Sequence, residues 1–163
     1  MKQAFIALGS NLASPTKQVL SAFAALEKLP QTHLLRCSSL YKTMPIGYKD
    51  EELSQIPDFI NAVAEIETDL APLDLLEAIL EIENQAGRVR PYPNAPRVLD
   101  CDLLLYENLT METSKLTLPH PRMHERGFVL LPLFEIAPLL SLPNHGKIAT
   151  LIQDQQFTGI TKL

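Results

Sequence analysis

Asp100-Cys101-Asp102 sets two carboxylates two residues apart inside the apolar run of residues 98–106. In an extended strand, residues i and i+2 point to one face, roughly 6.5–7 Å apart. Like charges at that spacing repel, and an apolar setting makes them costly unless cations or donors offset them. Two hard oxygen ligands suit Mg²⁺, above all when substrate phosphates complete the coordination. The plainer alternative is a strand with one wet face, but Leu104 shares that face and is apolar. Residues 119–128 then gather His120, Arg122, His124 and Arg126 into ten positions. Acid pair and basic cluster together point to metal-assisted phosphoryl chemistry.

A second basic group precedes the acids. Residues 88–97 hold Arg88, Arg90 and Arg97 among three prolines, too irregular for a regular element and read here as a loop over a site. A lone Arg there would be solvated surface; three beside a carboxylate pair favour phosphate, whose oxygens match the planar guanidinium fork. Glu83 falls in the last turn of a helical segment, where the dipole disfavours an anion. It either pairs with Arg88 on the surface or meets a ligand. His120, held between Pro119 and Pro121, is either structural or a donor to phosphate oxygens. Phe59 and Phe128 are core residues by type, yet Asp58, Asn61 and Arg126 around them also suit aromatic faces lining a pocket for a flat ring.

The elements that must carry these residues follow from periodicity and punctuation. Residues 4–8 read as a strand, and Ser14-Pro15 as N-cap and first residue of a helix with Leu20, Phe23, Ala24 and Leu26 inward. Residues 33–43 read as one strand. Residues 59–67 alternate, placing Ile60, Ala62, Ala64 and Ile66 in the core. Pro72 opens a second helix with Leu73, Leu76 and Leu80 beside Leu75, Ile79 and Ile82, and Gly87 closes it. Residues 98–105 form the acid-bearing strand, 109–118 a hairpin or edge strand, 128–137 a helix, and 138–163 a mixed tail with a short helix near 145–153. His33 and His145 are expected to face solvent alone. The order β-α-β-β-α-β predicts an α+β fold with a ferredoxin-like core, an antiparallel sheet whose faces are covered by helices in three α-β-α layers.

Composition narrows the function classes. The 163 residues carry a net charge of −5, which argues against a nucleic-acid or anionic-membrane partner and makes any basic site local. A single domain over residues 1–163 is expected at this length. Cys37 and Cys101 are too few for a zinc or disulfide framework. Without a signal-peptide core or an apolar stretch of roughly 18 residues, a cytoplasmic location is expected, and nothing demands an obligate interface, so a monomer is expected.

Six segments in order resemble the 6-hydroxymethyl-7,8-dihydropterin pyrophosphokinase family: Leu8-Gly9-Ser10-Asn11-Leu12; Ser39-Leu40-Tyr41-Lys42-Thr43 with Pro45 and Gly47; Pro57-Asp58-Phe59-Ile60-Asn61; Ile82-Glu83 through Gly87-Arg88-Val89-Arg90; Pro96-Arg97-Val98-Leu99-Asp100-Cys101-Asp102; and Pro119-His120-Pro121-Arg122-Met123 through Arg126-Gly127-Phe128. The resemblance implies transfer of the β,γ-pyrophosphoryl group of ATP to the pterin hydroxymethyl oxygen, releasing AMP, in folate biosynthesis. It implies two Mg²⁺ ions on Asp100 and Asp102, with Asp100 also near the pterin. Phe59 and Phe128 would sandwich the ring, while Asn61 and the backbone of Thr43, Met44 and Pro45 read its edge. Arg88 and Arg97 would contact the transferring phosphates, with Glu83, Arg90, Lys115, Thr117, His120 and Arg126 around the nucleotide. Two rivals remain open from the residues alone: a sheet that stacks RNA bases, which lacks the expected aromatic-rich strand, and a two-metal nuclease or nucleotidyl transferase.

Overall fold

β1, Lys2–Ser10, runs down the middle of the sheet in the computed structural model, which describes residues 1–44, 57–87 and 98–163. Ala4, Phe5, Ile6 and Leu8 are all buried, so the strand is covered on both faces and shows no alternation. It pairs antiparallel with β4, Phe59–Thr68, on one side and β5, Asp100–Tyr106, on the other. β2, Thr32–Cys37, and β3, Tyr41–Thr43, both pair with β4, and β10, Ile160–Lys162, adds an outer strand to β3. The sheet order is β10-β3-β4-β1-β5, with β2 also on β4.

The expected strand over residues 33–43 is therefore two strands. Ser38 carries the ladder across the break: its N–H donates to Val63 O and its hydroxyl accepts from Val63 N–H, each at 2.9 Å. Ser39 then leaves the sheet, donating its N–H and hydroxyl to the Glu135 carboxylate. Tyr41 donates its phenol to the same carboxylate at 2.7 Å. Burial pushes the Glu135 carboxyl up, but the hydrogen bonds from Tyr41 and Ser39 outweigh it and hold the group below its ordinary range.

Helices α1, Pro15–Glu27, and α2, Pro72–Ala86, cover one face. Proline stands at the start of each, as expected. Ser14 does not cap: Ala13 and Ser14 are both left-handed (φ 53° and 63°), incompatible with the extended backbone of a capping residue, and no side-chain bond forms. The α1 stripe is Val19, Ala22, Phe23 and Leu26; Leu20 and Ala24 face outward. In α2, Leu75, Ile79 and Ile82 are buried while Leu73 and Leu80 are exposed. Both helices carry two overlapping apolar stripes, and tertiary contacts choose between them. In α2 that choice turns Glu83 inward.

The second face is closed by α3, Gly127–Ile136, and α4, Ile148–Gln153. Leu130, Leu133 and Ile148 pack there with Phe5, Val63 and Leu104. Ile60, Ala62, Ala64 and Ile66 lie in the α1/α2 core as expected, but the odd-numbered face of β4 is buried too, Val63 fully. This yields the three-layer α+β arrangement around an antiparallel, ferredoxin-like sheet. The hairpin of β6, Met111–Glu112, and β7, Thr117–Leu118, follows β5; a second, β8, Ser141–Leu142, and β9, Gly146–Lys147, precedes α4. No described helix is long and apolar enough to cross a membrane.

Candidate active site

Register brings the chemistry to one end of the sheet. At the C-terminal end of β1, Gly9 is paired with Asn61 of β4 on one side and Asp100 of β5 on the other. The end of β3 pairs Thr43 with Phe59. A cavity of about 640 Å³ opens there, lined by Thr43, Met44, Phe59, Asn61, Asp100 and Asp102. Arg122, Arg126 and Phe128, from the turn Met123–Glu125 and its flanks, close the other side.

Asp100 is half-buried and Asp102 exposed, both on the cavity side, while Cys101 between them points into the α1/α2 core. Burial, then the Glu83, Asp102 and Asp100 carboxylates, push the Cys101 thiol well up, which makes it a packing group and no nucleophile. Its backbone N–H donates to Glu83 Oε2 at 2.7 Å. Glu83 is buried, and through this bond it fastens α2 to the acid-bearing strand; Arg88, the partner expected for it, lies outside the described residues. Ser10 makes a parallel tie, donating its hydroxyl to Val98 O where the chain enters β5.

Asn61 is buried, and its Nδ2 donates to Thr43 Oγ1 at 3.0 Å. Gly9 makes room for it: a Cβ at position 9 would lie 2.7 Å from Asn61 Oδ1. Gly9 and Ser10, expected as part of a strand-to-helix turn, are thus the last residues of β1, with Asn11 following. The Arg126 guanidinium carbon lies 5.6 Å from the Phe128 ring centroid, a cation–π distance.

His120 flanks the acids. Its backbone N–H donates to Leu104 O at 2.9 Å, and its Nδ1 accepts the Arg122 N–H at 3.2 Å. The neutral ring therefore carries its proton on Nε2, available to an anionic ligand. Burial pushes its pKa below the ordinary 6.5, with Arg126 and Arg122 acting the same way and Asp102 opposing. The unfolded chain takes up the proton first as pH falls. The stability contributed by the neutral ring is complete above pH 6.5 and is lost as pH drops through the folded value. His120→Gln should flatten the decline in thermal midpoint between about pH 7.5 and pH 5; parallel wild-type and variant profiles would refute this.

Of the residues expected at a site, Thr43, Met44, Phe59, Asn61, Asp100, Asp102, Arg126 and Phe128 meet around the one cavity. Glu83, Lys115, Thr117 and His120 do not line it, and Lys115 is exposed. Pro45, Arg88, Arg90 and Arg97 lie outside the described residues. His145 is not alone: its ring stacks on His124 at 3.8 Å and 12°. Sequence reasoning missed Gly9, Glu125 and the tail residues Gln155–Thr158 and Ile160 as lining groups. Among described residues no third Asp, Glu, His or Cys joins Asp100 and Asp102. A pair of hard oxygens with room beside it fits a divalent cation whose remaining ligands come from substrate and water.

The model of the 7,8-dihydro-6-hydroxymethylpterin-pyrophosphokinase (HPPK) family matches residues 5–138. The chain belongs to this family. It is similar to the 2-amino-4-hydroxy-6-hydroxymethyldihydropteridine pyrophosphokinases of Haemophilus influenzae (48% identity over 94% of this chain and 92% of that one) and Pseudomonas aeruginosa (42% over 100% and 98%). The Plasmodium falciparum HPPK-DHPS structure with pteroate superposes with a TM-score of 0.73 at 16% identity; the match covers 94% of this chain and 42% of that longer one. That likeness supports the HPPK fold. Membership makes the chain a transferase of the pyrophosphokinase class, and the cavity combines carboxylates, guanidinium groups and aromatic faces.

Proposed function

We propose that this HPPK-family chain, a single domain over residues 1–163, transfers pyrophosphate from ATP to the hydroxymethyl group of 6-hydroxymethyl-7,8-dihydropterin, releasing AMP, within folate biosynthesis. The observation that carries the reading is the shared cavity: Asp100 and Asp102 stand on the same wall as Asn61, with Phe59, Phe128 and Arg126 around them. Flat apolar faces suit a pterin, and an amide anchored by Thr43 suits its hydrogen-bonding edge.

Asp100 and Asp102 would hold two Mg²⁺ ions, which when bound neutralise phosphate charge and acidify the attacking hydroxyl. The chain's own residues supply position and electrostatics. Asn61 and the Thr43–Met44 backbone orient the ring, while Phe59 and Phe128 sandwich it and displace water. Arg126 and His120, the latter through Nε2–H, meet the nucleotide's oxygens on the side opposite the pterin. Arg88 and Arg97 are assigned to the transferring phosphates, and Glu83, Arg90, Lys115 and Thr117 to the nucleotide's surroundings. For Glu83 the role is indirect, through the strand it holds. The partners are small molecules, with no nucleic acid or membrane, and the working form is a cytoplasmic monomer.

AMP release from ATP, assayed with Mg²⁺ and the hydroxymethyl pterin, tests the reading. Release should depend on both; hydrolysis of ATP independent of pterin, or cleavage of nucleic acid instead, would overturn it. Gly9→Ala probes the pterin side. Its Cβ must displace Asn61, so the pterin KM should rise about tenfold with the ATP KM held within about twofold. An unchanged pterin KM would remove Asn61 from ring recognition.

A further inference from the structure

Beyond residue 138, where the family match ends, the chain returns to the cavity. Gln155, Phe157, Thr158 and Ile160 line it opposite the acid pair. Four contacts hold this segment to both halves of the ring site. Gln155 Nε2 donates to His124 O at 2.6 Å, in the turn that leads to Arg126. Phe157 lies on Gly127: a Cβ there would stand 2.8 Å from its Cε1 and 3.0 Å from Ile160 Cδ1, with Cδ1 of the same ring closer still. On the far side, Met44 N–H donates to Gly159 O at 2.9 Å, and Ile160 pairs with Thr43. Gly159 is left-handed (φ 74°), and a Cβ there would meet Met44 Sδ at 3.1 Å. One segment of six residues thus spans from Thr43-Met44 to the backbone between Arg126 and Phe128.

We propose that Gln155–Ile160 is a strap that sets the width of the pterin slot, with Phe157 as a positioning residue acting through Gly127 on Phe128. The inference rests on the pterin reading above. A ring held between two aromatic faces gains dispersion only at close approach, and a gap opened by 0.5–1 Å forfeits roughly a quarter to a half of it. Phe157 fills the space in which Gly127 would otherwise shift, so it fixes how far Phe128 stands from Phe59. Of the groups assigned to the nucleotide, Arg126 touches Phe128 through its guanidinium, so ATP recognition shares a small part of the effect. The strap therefore governs selectivity for the heterocycle first.

The test combines Phe157→Ala, Phe157→Leu, Gly127→Ala and the double variant of positions 127 and 157. Both substrates are varied in the AMP-release assay, and pterin binding is titrated directly without nucleotide. Phe157→Ala should raise the pterin KM and Kd about tenfold and the ATP KM less than about twofold, with Phe157→Leu recovering part of the loss. Gly127→Ala should be impaired likewise, and the double variant should be better than the product of the two single losses, since removing the ring frees the space the new Cβ needs. Gln155→Ala, which frees the strap from His124 O, serves should Phe157→Ala fail to fold, with the same KM split expected. A lowered thermal midpoint with unchanged pterin KM, or equal losses for both substrates, would overturn the strap. A wild-type protein that neither binds pterin nor releases AMP would overturn the underlying reading instead.

Discussion

Asp102→Ala is expected to lower turnover roughly a thousandfold, about 4 kcal/mol of barrier, while leaving the thermal midpoint almost unchanged. The side chain is exposed at the sheet end and packs nothing, so its loss should alter folding stability by no more than about 0.5 kcal/mol. On the proposed reading, its work is confined to the moment when polyphosphate and metal are bound. No third Asp, Glu, His or Cys among the described residues is grouped with the pair so as to hold a metal ion with it. Asp100→Ala should match it in turnover. For both variants the Mg²⁺ concentration giving half-maximal AMP release should rise sharply. Near-wild-type rates, or an unchanged Mg²⁺ dependence, would dissolve the metal assignment.

Glu83→Ala should do the converse, damaging stability first and activity through it. The carboxylate is buried and accepts the N–H of Cys101, the residue between the two acids. Removing it leaves that amide without its acceptor in a dry setting, a cost of about 1–3 kcal/mol. Turnover should fall as well, because β5 loses one of the ties that hold Asp100 and Asp102 beside Gly9 and Ala7 of β1. Glu83→Gln keeps an acceptor in the same place and should recover most of the stability. Urea unfolding of the three proteins checks this; equal midpoints for wild type and Glu83→Ala would mean the hydrogen bond is idle.

How far the amino-acid sequence discloses this fold and site follows the strength of each periodicity. A period of two is rigid, so the even face of β4 and the shared side of Asp100 and Asp102 are legible. The order of elements is equally plain, because Pro15, Pro72 and Gly87 punctuate it. Helix faces are not: α1 and α2 each offer two stripes at helical spacing, and only packing decides that Leu20, Leu73 and Leu80 face water. The two-part strand 32–43 hides because Ser38 imitates a ladder partner with its side chain. Gly9 resembles an ordinary turn residue, since its closeness to Asn61 exists only across the register. The tail is illegible for want of pattern: residues 153–159 hold a lone aromatic, Phe157, amid polar neighbours, and β10 has three residues.

That short outer strand has one more consequence. By occupying the hydrogen-bonding side of Tyr41–Thr43, β10 leaves Ile160–Lys162 as the rim of the sheet. A rim of three residues bearing Lys162, entered through a left-handed Gly159, is a poor template for a strand from another molecule. This rim, which continues the proposed strap beyond Ile160, should therefore disfavour fibril-like self-association.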